Sequence, residues 1–251
     1  LFRSMNRIFS SHELNQLKKH GLSDIDLKPY GEMPVEYITG HCEFKNLDFL
    51  VNQSTLIPRI ESEKIVDLAL EFIYQNNLSH PAIADIGTGS GCLGISIATS
   101  LSKKQIPYTI YLSDISTVAL NVAGQNADRL LPSRVNLFFQ ESHLTTNLPK
   151  IKFDLIIANL PYIPSANIPL LDDSVKDFEP IQALDGGPKG TSLINQLISD
   201  LDTFLTGNGL AIFEIDDSQK LEDFSIPKYF STKIENDIND IPRFLILSRI
   251  A

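Results

Sequence analysis

The chain has 251 residues, 43% of them hydrophobic and 21% charged, which suits one large α/β domain with or without a small appendage; no apolar run approaches a membrane span. A formal net charge of -10 disfavours a polyanionic partner, because phosphate contacts dominate nucleic-acid affinity and need Lys and Arg, and no more than two basic residues adjoin anywhere. The two cysteines, Cys42 and Cys92, lie far apart, and the five histidines form no i, i+4 pair, so neither a disulfide framework nor a metal site is expected.

Leu1-Phe2-Arg3-Ser4 opens neither a secretory signal nor a transit-peptide composition, so a cytoplasmic location is the expectation. Residues 1 to about 40 read as a polar helical element, with Ser11 as the expected cap before Leu14, Leu17 and Leu22. From Glu43 to Pro58, apolar positions Phe44, Phe49, Val51, Leu56 and Ile57 flank a turn-like Lys45-Asn46, the pattern of a β-hairpin. Ser62 then starts an amphipathic helix through Ile65, Val66, Ala69 and Ile73 to Asn76-Asn77.

Beyond this point strands and helices alternate, as in a mostly parallel sheet covered on both faces. Strands are expected near 82–86, 108–113, 134–140, 153–158 and 209–215, with helices near 92–102, 116–129 and 191–205. Residues 228–235 and 243–249 read as an antiparallel pair at the sheet edge, giving seven strands in all. The division expected is a helical element at 1–42, a hairpin linker at 43–60 and a catalytic domain at 61–251.

Asp85-x-Gly87-x-Gly89-x-Gly91 lies between the first of these strands and an apolar helix. Glycine lets the backbone turn sharply and approach a ligand closely. Two ligand readings stand at this loop. Gly89-x-Gly91-x-x-Gly94 also satisfies a dinucleotide pattern, whereas a carboxylate at Asp85 suits the ammonium of S-adenosyl-L-methionine better than a pyrophosphate. Thr88 and Ser90 complete the loop, and Asp114, at the end of the next strand, can accept hydrogen bonds from ribose hydroxyls of either cofactor.

The fourth strand of the sheet runs directly into Asn159-Leu160-Pro161-Tyr162. An amide or aromatic amine nitrogen is a poor nucleophile because its lone pair is delocalised, so an enzyme must fix its N–H groups and aim the lone pair. The Asn159 side-chain carbonyl and the Leu160 backbone carbonyl suit the two N–H groups, Pro161 stiffens the loop, and Tyr162 offers a flat face.

At these residues the chain resembles amino-group methyltransferases acting on adenine, cytosine or glutamine. Pro34-Val35-Glu36-Tyr37, Gly40, Glu43-Phe44, Leu56-Ile57-Pro58-Arg59, Glu61, Glu63, Phe178-Glu179-Pro180 and Ala183-Leu184-Asp185-Gly186-Gly187 narrow the resemblance to the release factor glutamine methyltransferases. That resemblance implies a class I, Rossmann-like S-adenosylmethionine-dependent methyltransferase fold, a helical N-terminal domain and a hairpin linker. It further implies methyl transfer to the glutamine in the Gly-Gly-Gln loop of a class I peptide chain release factor. Gly87 to Gly91 are then expected to hold the methionine end of the cofactor, Asp114 the ribose and Glu141-Ser142-His143 the adenine. Asn159 to Tyr162, Arg59 and Glu179 are expected to meet the substrate. The family usually has Pro where Leu160 stands and an Asp-aromatic pair where Ser142-His143 stands, and its leading helical domain is usually longer.

Three other readings remain at this stage. Leu160 is also typical of ribosomal RNA adenine dimethyltransferases, so adenine N6 methylation of RNA or DNA is the first alternative. A nucleotide-dependent oxidoreductase leaves Asn159-Tyr162 unexplained, and a non-catalytic binding module is the third.

Overall fold

The computed structural model describes residues 7–250; the first part of the expected leading helix falls outside them. The leading helix α1 spans Ser11–Lys19 and is capped by Ser10, whose hydroxyl accepts from the Glu13 amide while the Glu13 carboxylate accepts from the Ser10 amide. The sequence reading put this cap one residue later, at Ser11. Only Ser10 has Glu at N3, and this reciprocal pairing selects it. A short helix α2, Val35–Thr39, stops at Gly40, which takes φ 76°.

Strands β1 (His41–Phe44) and β2 (Leu47–Leu50) form the expected hairpin. Lys45 and Asn46 both take positive φ, as in a two-residue turn whose twist matches the strands. Phe44 and Phe49 meet edge to face, fully buried, and anchor the hairpin in the apolar layer that also contains Ile65, Ala69 and Ile97. The helix expected from Ser62 is α3, Glu63–Gln75, preceded by a 3-10 turn at Ile60–Ser62. Ser62 stands at its N-cap, yet its hydroxyl bonds elsewhere.

The remaining elements alternate as expected. They are β3 (Ala82–Ile86), α4 (Cys92–Lys103), β4 (Thr109–Asp114), α5 (Thr117–Leu130), β5 (Leu137–Glu141), β6 (Phe153–Ala158), the single-turn α6 (Asp173–Lys176), α7 (Ser192–Phe204), β7 (Leu205–Glu214), β8 (Phe230–Asn236) and β9 (Pro242–Arg249). β5 begins later than the sequence suggested because the Leu137 amide bonds the Arg134 carbonyl and Asn136 takes φ 65°, making 134–136 a turn.

β3 to β9 form one seven-stranded sheet in the order β5-β4-β3-β6-β7-β9-β8. The first four pairings of this order are parallel, and β9 inserts antiparallel between β7 and β8. Side chains alternate between faces: Ile83, Ile110, Leu155 and Ile157 join the layer under α3, α4 and the hairpin, while Ala84, Ile156, Ala158 and Phe213 join the layer under α7. Both faces are therefore covered, which is why the strands read as nearly continuous apolar runs. The chain order reverses between β3 and β6, so the loops after these two strands open side by side at one sheet edge.

Phe49 is one of two buried rings that attach the hairpin. Phe49→Ala, which empties a fully buried site, is expected to cost about 3–5 kcal/mol of unfolding free energy, measured by urea denaturation.

Candidate active site

The loop after β3 takes positive φ at Gly87, Gly89 and Gly91, and two of these have no room for a side chain. A Cβ at Gly87 would stand 2.9 Å from the Leu160 side chain, and one at Gly91 would meet Ile95 at 2.6 Å and Ala123 at 3.1 Å. At Gly89 nothing lies within 4 Å of the same position, so there the backbone itself faces the cavity. Asp85 does not meet that cavity as expected. It is fully buried beneath the loop, where its Oδ2 accepts from the Thr88 hydroxyl (2.7 Å) and the Gly94 amide (3.0 Å) and its Oδ1 has no partner. Burial pushes this carboxyl up to about 6, against the hydrogen bonds from Thr88 and Gly94 that lower it.

Asp114, at the end of β4, lines the cavity with a carboxylate already fixed by two amides: Gly89 donates to one oxygen and Ser116 to the other, each at 2.9 Å. Ser116 itself caps α5. Each carboxylate oxygen keeps acceptor capacity for a diol. Exposed Ile115 and Val118 line the cavity with apolar surface, as do His143 and Leu144. Ser142, expected at the adenine, lines the cavity, but its hydroxyl is committed to the Leu144 carbonyl (2.8 Å) and the Asn147 amide (3.0 Å), so that group shapes the 142–147 turn. Glu141 is exposed and stands outside the lining, whereas His143 is in it.

Asn159, Leu160 and Pro161 line the same cavity. Asn159 Nδ2 donates to the Ser62 hydroxyl (3.1 Å), and Ser62 donates to Glu214 Oε2 (2.5 Å), at the end of β7. A carboxylate only accepts, so the Ser62 hydrogen is committed to Glu214 and only the NH₂ end of Asn159 can face Ser62. Oδ1 is thereby turned the other way. Among the described residues, none donates a hydrogen bond to Asn159 Oδ1 or to the Leu160 carbonyl. Burial pushes the Glu214 carboxyl above its usual range, while the bonds from Ser62 and Tyr162 pull it back.

Tyr162 departs from expectation. Its hydroxyl donates to Glu214 Oε1 at 3.0 Å, its ring packs against the layer under α7, and it stands outside the cavity lining. It braces the loop instead of presenting a face to a ligand. Arg59 and Glu179 also stand outside the lining and engage each other. Glu179 is buried; one oxygen takes the Arg59 guanidinium and the other the Ile57 amide (3.2 Å), while Arg59 also donates to the Ile57 carbonyl (2.9 Å). The pair clasps the linker to the long segment after β6. That segment returns through Ile163, whose amide and carbonyl bond Leu184 and Gly186. Gly186 and Gly190 lie so close to Pro161 and Tyr162 that a Cβ would stand 2.6 Å from the Pro161 carbonyl and 1.9 Å from the Tyr162 carbonyl.

The cavity holds about 520 Å³ between these groups, within the range of small-molecule sites. Its residues suit S-adenosylmethionine: an open glycine backbone, the fixed carboxylate of Asp114 and the apolar side chains of Ile115 and Val118, with the unpartnered Asp85 oxygen buried beneath the loop, outside the lining. Sequence reasoning missed Ile115 and Val118, although an apolar residue directly after a strand-end acid was a usable signal. It also missed Ser62 and Glu214, which only the fold brings to Asn159. Elsewhere, His20, His41 and Asp48 come within 4.8 Å of one another. The two imidazoles stack at 4.2 Å with planes 19° apart, so their lone pairs run side by side and do not converge, and Arg129 holds the carboxylate.

Fold and loop together define a class I methyltransferase domain, and comparison with known proteins agrees. Residues 57–168 match the methyltransferase small domain family model. A methyltransferase structure from Pyrococcus furiosus shares the fold, with a TM-score of 0.54 at 15% identity over 81% of this chain and 89% of the other. Release factor glutamine methyltransferases of Leptospira interrogans and Gloeobacter violaceus are each 36% identical, over 94% and 73% of this chain. The match spans 82% of the Leptospira protein's length and 62% of the Gloeobacter protein's. The chain belongs to the release factor glutamine methyltransferase family. No helix among the described residues is long and apolar enough to cross a membrane.

Asp85 carries a pH signature. Because its folded pKa is raised, its favourable contribution is complete below the ordinary aspartate value and is lost as pH rises through about 6. Asp85→Asn is therefore expected to gain on the parent by about 2 kcal/mol between pH 4 and pH 7, as measured by denaturant unfolding. A difference independent of pH would contradict the burial account.

Proposed function

We propose that the chain transfers a methyl group from S-adenosyl-L-methionine to the side-chain amide nitrogen of the glutamine in the Gly-Gly-Gln loop of a class I release factor, in the cytoplasm. The observation that carries this reading is the pair of open acceptors, Asn159 Oδ1 and the Leu160 carbonyl, on two residues that line the same cavity as Asp114. In this reading Gly87, Thr88, Gly89 and Ser90 surround the methionine end, Asp114 takes the ribose hydroxyls, and Ile115 and His143 enclose the adenine. Gly91 shapes the loop from behind. The bound cofactor supplies an electrophilic methyl on a sulfonium sulfur.

The protein's part is positioning. Asn159 and Leu160 each take one N–H of the acceptor amide, fixing its plane so that the nitrogen lone pair points along the cavity. Pro161 restrains the backbone that carries the second acceptor. With the cofactor bound, the new N–C bond would form as the methyl–sulfur bond breaks, its electron pair going to sulfur, and the amide held by Asn159 and Leu160 would then lose its surplus proton to water. No general base is required. The walls of the entrance are Ser54, Thr55 and Pro58 on the linker and Pro180 and Gln182 on the returning segment, held together by the Arg59–Glu179 clasp. Residues 1–42 serve in this reading as the substrate-recognition element, followed by the linker at 43–60 and the catalytic domain at 61–251. An exocyclic adenine amine offers the same N–H pair; family membership and the net charge of -10 favour the protein substrate.

Asn159→Ala removes one acceptor without touching the glycine loop. Single-turnover methylation of a release factor, followed with labelled cofactor, is expected to slow on the order of 10²-fold, while cofactor affinity changes little. Methylation at the parent rate would refute the positioning mechanism, and transfer to adenine in preference to glutamine would refute the substrate.

A further inference from the structure

One fully buried polar side chain lies outside the cavity and outside the chemistry described so far. Asn126, on α5, has no exposed surface. Its Oδ1 accepts from the Leu50 amide at 2.7 Å, and its Nδ2 donates to the Leu50 carbonyl and to the Ser90 carbonyl, each at 2.9 Å. The amide thus pairs with both backbone groups of Leu50 as a neighbouring strand would, and still reaches the glycine loop. Oxygen and nitrogen are not interchangeable here, since two partners are carbonyls and one is an N–H. Ala123, one turn earlier on the same helix, abuts Gly91, so α5 meets the loop at two successive residues.

We propose that Asn126 is a positioning residue for cofactor binding: its side-chain amide ties the β1–β2 hairpin to the Ser90 carbonyl and so holds the glycine loop in its ligand-ready form. This rests on the assignment of that loop to S-adenosylmethionine. A loop with several positive-φ glycines has many conformations to lose on binding, and a fixed carbonyl at its centre removes part of that cost. The tie is reciprocal: a ligand that orders the loop also steadies Leu50.

The test uses the full chain and S-adenosylmethionine alone. Asn126→Ala loses all three bonds; Asn126→Asp keeps the acceptor for Leu50 but sets a carboxylate against the two carbonyls. Val122→Ala, at a buried position of the same helix, serves as a packing control. By equilibrium dialysis under conditions where every variant is folded, both Asn126 variants are expected to bind about tenfold more weakly, the loss of one to two net hydrogen bonds. Val122→Ala is expected to stay within about twofold of the parent. In the unaltered protein, hydrogen exchange at the Leu50 amide is expected to slow when cofactor is added. Parent-like affinity in the Asn126 variants, or Leu50 exchange indifferent to cofactor if those variants do not fold, overturns the proposal. A parent protein that fails to bind S-adenosylmethionine overturns the assignment of the loop itself, and the proposal with it.

Discussion

The arrangement depends first on the buried carboxylate at the end of β7, because Glu214 accepts from both Ser62 and Tyr162 and so governs two residues of the loop that follows β6. By claiming the Ser62 hydrogen it fixes the direction of the Asn159 amide; by claiming the Tyr162 hydroxyl it pins the far end of the same loop. Burying a carboxylate is costly unless its oxygens are paired, and here each oxygen has an O–H donor. Ser62, Glu214 and the Asn159–Tyr162 loop come from a 3-10 turn, a strand end and a loop, with Ser62 97 residues from Asn159 and Tyr162 52 residues from Glu214. Only the parallel order β3-β6-β7 brings them to one edge.

Around this network, close backbone approach does what side chains cannot. Gly87 admits Leu160 beneath the cofactor-side loop, and Gly186 and Gly190 let the returning segment lie directly on Pro161 and Tyr162. Leu160 is buried and its side chain packs in the layer under α7, while its carbonyl accepts from no described residue. The residue that departs from the family's usual Pro is thus accommodated by a glycine on the neighbouring loop. The Arg59–Glu179 clasp then ties the linker to the returning segment, one wall of the entrance to the other.

Much of this was legible in the amino-acid pattern. Seven strands were readable because apolar runs covered on both faces stand out against Gly, Pro and Asn turns, and the hairpin was readable from Lys45-Asn46 between Phe44 and Phe49. The two ligand loops were readable because their residue types have few other uses at strand ends. What was not legible is directional. Asp85 and Tyr162 have side chains that fit a ligand, yet the first faces the interior and the second faces Glu214, and spacing carries no sign for this. Arg59 and Glu179 lie 120 residues apart, so nothing local revealed that each is the other's partner. Ser62 reads as the start of an amphipathic helix, a place where Ser is usually a cap, yet the tertiary acceptor at Glu214 takes its hydroxyl.

The central claim is that Glu214 acts through Ser62 to hold Asn159 in the orientation that receives an amide. Glu214→Gln keeps the shape but introduces a donor, which frees Ser62 to turn its hydrogen toward Asn159. Single-turnover methylation of a Gly-Gly-Gln release factor loop should then slow by about tenfold or more, with cofactor affinity within about twofold of the parent. Methyl transfer at the parent rate in that variant would contradict the account.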